Sequence, residues 1–389
     1  MNNRITKKKE RKYYIDWLRI LLILSVFIYH IGMVFNTWNW HIKNDEEIKW
    51  FGPIMVFLHL WRMPLLFLVS GVGTFYALRS RTVKQYLKER TIRIFIPFII
   101  GVFTLVPIQV YIEKINDYNS LLQFYHHMFD GIYPKGNFSL HHLWFLLYLF
   151  LIALIISPFL NSLRSDTFLK IRDRIILKSS KKLGLNWIII VLALSQLILR
   201  NYLTEKSTNM LYNDWAYFVY YFLFFLAGFV LISSDKLVDF LSRQRHLYLI
   251  QTLIFTTFMI VIKYFNTDTI LIDYLYGLVG VIVTWSCAIT VLGYAKKYLN
   301  KDSKYRKIAN EAIYPFYLLQ QPVIIIVGYF IVQGQIDVYL KILYLTLISF
   351  FFVISIYWLL IRPFYILRVA FGLRALKEEK GLLSNNNKN

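Results

Sequence analysis

The chain's 389 residues would suffice for two or three soluble domains, but 57% of them are hydrophobic and only 17% charged, against roughly 45–50% and about 25% in soluble domains. The formal net charge of +22 would suit a nucleic-acid binder only if the basic residues were gathered on one patch. Instead they separate apolar runs about twenty residues long, the length that spans a bilayer core, so composition excludes a soluble fold and a nucleic-acid partner and predicts an all-α polytopic membrane protein with the lipid bilayer as its solvent.

Segment 1–13 is basic and begins like a signal peptide. The apolar run behind it is too long for a signal's central region, and no small-residue cleavage site follows, so it reads as a retained first helix. Hydropathy predicts ten spans, at 15–35, 54–78, 92–112, 142–161, 186–203, 215–233, 247–265, 270–294, 312–332 and 339–361. Of the 44 Lys and Arg, 34 fall on one set of alternate segments and 8 on the other. Basic loops stay cytoplasmic, so both termini are expected inside, with a membrane domain over 14–362 and a partly disordered cytoplasmic tail over 363–389. The lone Cys287 excludes an intrachain disulfide and a cysteine metal motif.

Ionisable residues within a span are expensive and mark functional candidates. The first span carries Asp16, Arg19 and His30. Arg19 and His30 are separated by three helical turns and roughly 20°, so they share one face about 16 Å apart along the axis. A fixed cation thus precedes a titratable base on one stripe. The plainer alternative has Arg19 reaching to the headgroups and His30 bonding a neighbouring helix.

The second span holds His59, Arg62 and Pro64, then Ser70-Gly71. Arg62 is deep enough to need an anion or carbonyls, Asp273 being the nearest acidic candidate. Pro64 frees a backbone carbonyl, and Ser70-Gly71 permits close helix packing. Arg90 and Arg93, three apart, share a face at the start of the third span, where they suit a polyphosphate as well as simple topological charge. The fourth span opens with His141-His142. Adjacent histidines point apart on a helix and no His-Glu-x-x-His motif is present, so no metal site is expected. The ninth opens with Tyr314-Pro-Phe-Tyr317 and Gln320-Gln321-Pro322, more polar groups than packing alone requires.

Five segments together give a resemblance: Ile15-Asp-Trp-Leu-Arg19 followed after ten residues by His30; Phe67-Leu-Val-Ser-Gly71; Arg90-Thr-Ile-Arg93; His142-Leu-Trp-Phe-Leu146; and Tyr314-Pro-Phe-Tyr-Leu-Leu-Gln-Gln-Pro322. In this order, from Tyr14 to Arg362, the sequence resembles the membrane acyltransferase 3 family, nearest its glucan-modifying, succinyltransferase-like branch. Two departures stand out: Gln320 occupies a position where relatives commonly have His, and the hydrolase-like extension of many relatives is not seen.

The resemblance implies a transmembrane O-acyltransferase with no permanently bound cofactor. Acyl-CoA would be the cytoplasmic donor and a glycan hydroxyl the extracytoplasmic acceptor, with a separate extracytoplasmic partner protein as an option. His30 would be the catalytic base or an acyl-carrying nucleophile, and Arg19, Arg90 and Arg93 would hold the donor. Asp16, Arg62, Ser70, His142, Tyr317 and Gln320 would line the substrate site. The competing reading is a small-anion transporter or channel without acyl transfer. It would call for an inverted repeat, and none is apparent.

Overall fold

A bilayer core offers backbone N–H and C=O groups no partners, so apolar runs of this length must satisfy them internally as helices. The computed structural model describes residues 11–78, 81–203, 214–264 and 269–374. Among these residues it is helices and turns, with one isolated bridge between Ile132 and Phe138.

Among the described residues, nine helices are long and apolar enough to cross a membrane. They are α1 (Tyr13–Phe35), α2 (Phe51–Leu78), the continuous α3–α4 (Val83–Arg90 and Ile96–Glu113, joined by a π-helical turn), α6 (Trp144–Ile156, lengthened by the tight turns His141–Leu143 and Ser157–Phe159), α9 (Trp215–Ala227, continued by a π-helical turn to Ile232), α10 (Asp235–Tyr264), α11 (Ile270–Tyr298), α12 (Lys304–Val332) and α13 (Val338–Ile356, continued by a π-helical turn to Ile361). Short helices α5 (Leu121–His126), α7 (Asp166–Ser179) and α14 (Tyr365–Ala370) lie between or beyond them. The span predicted at 186–203 is α8, Trp187–Leu203, with 17 residues. Its apolar part stops at Arg200, which bonds Gln196 and stacks on Tyr217.

Three predicted starts move upstream, the third span beginning with α3 at Val83. The basic stretch 236–245 is the first part of α10, and α12 begins at Lys304, because no proline or glycine interrupts 235–264 and Ser303 caps the α12 N-terminus through the Tyr305 N–H. The tail likewise is not all outside the bundle, since its residues up to Arg374 pack beside Arg93 and Tyr314. Residues 1–10 and 375–389 lie outside the described residues.

Helix α1 packs against α2, α11, α12 and α13 and is mostly buried. By contrast α10 and α13 expose rows such as Leu253, Ile254, Leu347, Phe351 and Leu359, the apolar surface a bilayer covers. The α2 and α9 backbones touch where Gly71 faces the Phe225 carbonyl and Gly228 faces that of Leu68, with no room for a Cβ at either.

Prolines inside the helices expose carbonyls that neighbouring side chains then bind. Pro64 frees the Leu60 carbonyl, which accepts from Thr284 at 3.4 Å. Pro107 frees that of Phe103 for the Tyr125 hydroxyl at 3.0 Å, and Pro322 frees that of Leu318 for His142 Nε2 at 3.0 Å. The third of these fixes a candidate functional histidine.

The helices alternate in direction, giving the bundle two ends. One, the basic end, gathers Arg11, Arg90, Arg306 and Arg368. The other gathers His41, Glu113 and His141.

Candidate active site

Antiparallel pairing of α1 with α2 sets the register of the site. The Arg19 guanidinium lies against Gly73, in the space that a Cβ there would take. Ten residues further along α1 and eleven back along α2, Arg62 lies 3.3 Å from the centre of the Tyr29 ring. The stripe read from the sequence is therefore an interhelical seam, with Arg19 nearer the basic end and His30 deeper.

His30 is 9% exposed. Its Nδ1 lies 2.9 Å from Gln320 Oε1. An amide oxygen only accepts, so Nδ1 carries the proton and Nε2 the lone pair. The ring is stacked on Trp40 with centroids 5.9 Å apart, and Tyr29 meets it edge-on. Arg62, His142 and His41 are close enough to His30 for their charges to interact.

Several polar atoms around this imidazole have no bonding partner: Nε and Nη1 of Arg62, Nε2 of Gln320 and Nδ1 of His142. Arg62 is 5% exposed, and among the described residues no carboxylate pairs with it. Asp273, its candidate mate, instead lines a cavity of about 550 Å³ together with His59, Gln196, Arg200, Tyr217, Tyr220 and Tyr221. His59 contacts the Tyr29 hydroxyl at 3.4 Å, so one layer of side chains separates this cavity from His30. An unsatisfied buried donor or acceptor costs about 1–3 kcal/mol; several around one base form a site built to receive polar groups.

Tyr317 donates its hydroxyl to the His142 carbonyl, so both residues belong to the wall of the site, with the tyrosine oxygen already committed. Two sequence candidates are not brought to His30. Ser70 bonds the Leu66 carbonyl of its own helix at 2.8 Å and sits about 12 Å along α2 from Arg62, beside the Gly71 contact. Asp16 pairs with Arg306 and Arg11 at the basic end, about 21 Å along α1 from His30. Its burial reflects an ion pair between α1 and α12.

Arg19, Arg90 and Arg93 converge closely enough for their charges to interact. Arg90 donates to Thr74 Oγ1 at 3.2 Å and lies over Tyr86. Arg93 donates to the Gly372 carbonyl at 3.2 Å and keeps 43% of its side chain exposed. Such a cluster of half-open guanidinium groups suits a polyanion.

At the opposite end the loop after α1, the end of α4 and the turn before α6 bring together His41, Glu113 and His141, whose potential ligand atoms all lie within 4.8 Å of one another. His41 bonds Glu113 directly. The Tyr133 hydroxyl donates to the other Glu113 oxygen at 3.0 Å; burial, together with the nearby Glu113 charge, pushes that phenol above its ordinary range and keeps it a donor. Sequence reading missed His41 and Glu113 because they lie 72 residues apart, and neither is flanked by a motif. The only hint was the concentration of histidines around residues 126–142.

A family model described as an acyltransferase domain, acyltransferase 3, matches residues 12–362. The proteins called glucans biosynthesis protein C from Escherichia coli and Shigella dysenteriae are each 23% identical over 341 residues, covering 83% of this chain and 84% of theirs. No solved structure matches. With the Arg19–His30 seam buried in a bundle of apolar helices and the family match running over nearly all of it, the chain belongs to the acyltransferase 3 family and is a multi-pass membrane acyltransferase.

Proposed function

We propose that this protein moves an acyl group from cytoplasmic acyl-CoA to a hydroxyl of an extracytoplasmic glycan or cell-envelope polysaccharide. The observation that carries the proposal is His30 itself: a buried imidazole held by Gln320 in the tautomer that leaves Nε2 basic, ringed by unpartnered donors. Relatives named for glucan biosynthesis support a glycan acceptor. The excess of Lys and Arg at the end bearing Arg19, Arg90 and Arg93 supports a cytoplasmic donor mouth.

In this reading the arginines hold the phosphates of coenzyme A, and its narrow pantetheine arm carries the thioester along the α1–α2 seam. His30 Nε2 takes the proton of the acceptor hydroxyl, and the oxygen attacks the thioester carbonyl. Arg62 and the Gln320 amide N–H face the negative charge that develops on the carbonyl oxygen, in a site where little water screens it. Collapse breaks the C–S bond, and the imidazolium returns its proton to the departing thiolate. Direct attack needs no acyl-histidine, and the bond from Gln320 serves the imidazolium as well as the base. The tyrosine-lined cavity beside Tyr29 combines apolar faces with a few convergent polar groups, as a sugar-binding pocket would.

The test uses inverted membrane vesicles supplied with radiolabelled acyl-CoAs, followed by isolation of the labelled glycan. His30→Ala, present at wild-type level, is expected to lower transfer by roughly 10²–10⁴-fold. Activity within a few-fold of wild type would remove His30 from the chemistry.

A further inference from the structure

The cluster of His41, Glu113 and His141 is not needed for the acyl-transfer steps above, yet its geometry is specific. We infer that these three side chains form a binding site for one divalent transition-metal ion of the zinc class.

Three features support it. First, the ligand set fits: two imidazoles and a carboxylate from three separate elements, with ligand atoms within 4.8 Å of one another. Two nitrogens and one oxygen match a zinc site with its fourth position open; calcium and magnesium prefer oxygen throughout. The His41 and His141 rings are 4.4 Å apart between centroids. His41 hydrogen-bonds Glu113 directly; a bound ion would displace the proton of that bond and take both atoms as ligands.

Second, His141 is prepared as a ligand. Its Nδ1 lies 2.7 Å from Ser139 Oγ, a hydroxyl able to accept from Nδ1–H and so to hold the ring when Nε2 binds an ion. That Nε2 is buried and has no partner. Metal-binding histidines are oriented in just this way, by a hydrogen bond on the far ring nitrogen. The backbone also holds His141 at φ 40°, a left-handed conformation that a non-glycine residue adopts at a cost. Tyr133 orients Glu113 from the other side.

Third, the site would act on the acyl-transfer centre from one residue away along two chain segments. Trp40, next to His41, stacks on His30, and Gln321, next to Gln320, lies 3.4 Å from His41 Nε2. A metal ion here would pin the loop that carries Trp40 to the end of α4 and the start of α6. It is thus a positioning site for the wall over His30. By contrast a second histidine–acid contact at this end, His127–Asp130, is half exposed and brings together two groups.

The experiment uses the purified full-length protein in detergent with any affinity tag removed, stripped with a chelator, reloaded with Zn²⁺ or Co²⁺ and desalted. The expected result is about one ion per chain by elemental analysis, and for Co²⁺ the visible absorption of a four-coordinate N/O site. Glu113→Gln, which keeps the shape and the bond from Tyr133, and His141→Ala are each expected to abolish retention. Ser139→Ala, which frees the His141 ring, should weaken affinity by roughly 10–100-fold. His127→Ala should retain the ion. The inference is overturned if the reloaded wild type holds no metal, if Glu113→Gln retains it, or if His127→Ala loses it. Because Glu113→Gln preserves volume, the outcome is readable even where His141→Ala fails to fold.

Discussion

The basic end and the level of His30 treat buried charge in opposite ways. At the basic end, the fully buried Arg306 is held by Asp16 and, at 2.7 Å, by Asp302. The buried Arg368 meets Glu311 at 3.2 Å, and Arg172 donates to the Val230 carbonyl at 2.8 Å. At the level of His30, Arg62 is as deeply buried but stacks on a neutral tyrosine with two of its nitrogens unpartnered. Unpaired burial of this sort is destabilising, and a bundle able to pair Arg306 so thoroughly could have paired Arg62. The first region uses charge to fasten helices; the second leaves donors open for a ligand.

Breaking the fastened region should have the largest effect. Arg306→Ala breaks the α1–α12 ion pair and leaves Asp16 only the exposed Arg11; removing one partner of a buried pair costs up to about 3–5 kcal/mol. Thermal unfolding of the purified protein in detergent should show a large fall in midpoint, with activity lost only in proportion to unfolding. If stability were unchanged while donor binding fell, Asp16 and Arg306 would belong to the substrate site after all.

The arginine mouth should respond differently. A hydrogen bond to a charged group contributes about 1.5–3 kcal/mol, or roughly 10–100-fold in affinity. Replacing both Arg90 and Arg93 with Gln should therefore raise the donor KM on that scale or beyond, with little change in stability. Their present partners are a threonine hydroxyl, the Gly372 carbonyl and, 3.9 Å from Arg93, the part-exposed Glu89, contacts loose enough to be exchanged for phosphate. An unchanged donor KM would remove the mouth from the reading.

How far the sequence could reach follows from the same contrast. The helices were legible because lipid enforces long apolar runs, and the Arg19–His30 stripe because it lies on one helix, where 3.6 residues per turn fixes the geometry. Proline positions predicted freed carbonyls at Pro64, and the structure adds that His142 exploits the one at Pro322. Partners that depend on packing were out of reach. Asp16 looked like a site residue because its mate, Arg306, lies 290 positions away. Ser70 looked available because a bond back to its own helix leaves no mark in the sequence. The extension of α10 through 236–245 was hidden by charge, which hydropathy scores as loop although nothing there breaks a helix.

Within the open region, Gln320→Ala tests whether the amide sets the state of His30. Its hydrogen bond to His30 contributes about 0.5–1.5 kcal/mol and its N–H faces the developing oxyanion, so a fall in kcat from roughly 10-fold up to about 10³-fold is expected with donor KM unchanged. Gln320→His, which can still bond His30, should recover part of it. A change in donor KM alone would make Gln320 a binding residue instead.

The smallest expected effect returns to Arg306, through its outer partner. Asp302 is exposed, and its carboxyl is held below the usual range first by its bond to Arg306 and then by the Ser303 N–H. A depressed folded-state value means that the contribution to stability is present above the ordinary carboxylate range, near 4, and is lost as pH falls through the lower folded value. Asp302→Asn should thus lower the unfolding midpoint only slightly at neutral pH and flatten its decline in acid, since exposed ion pairs contribute little. A loss as large as that of Arg306→Ala would mean that the exposed acid, and not the buried Asp16, fastens the arginine. The division between a fastened end and an open centre would then have been drawn through the wrong pair.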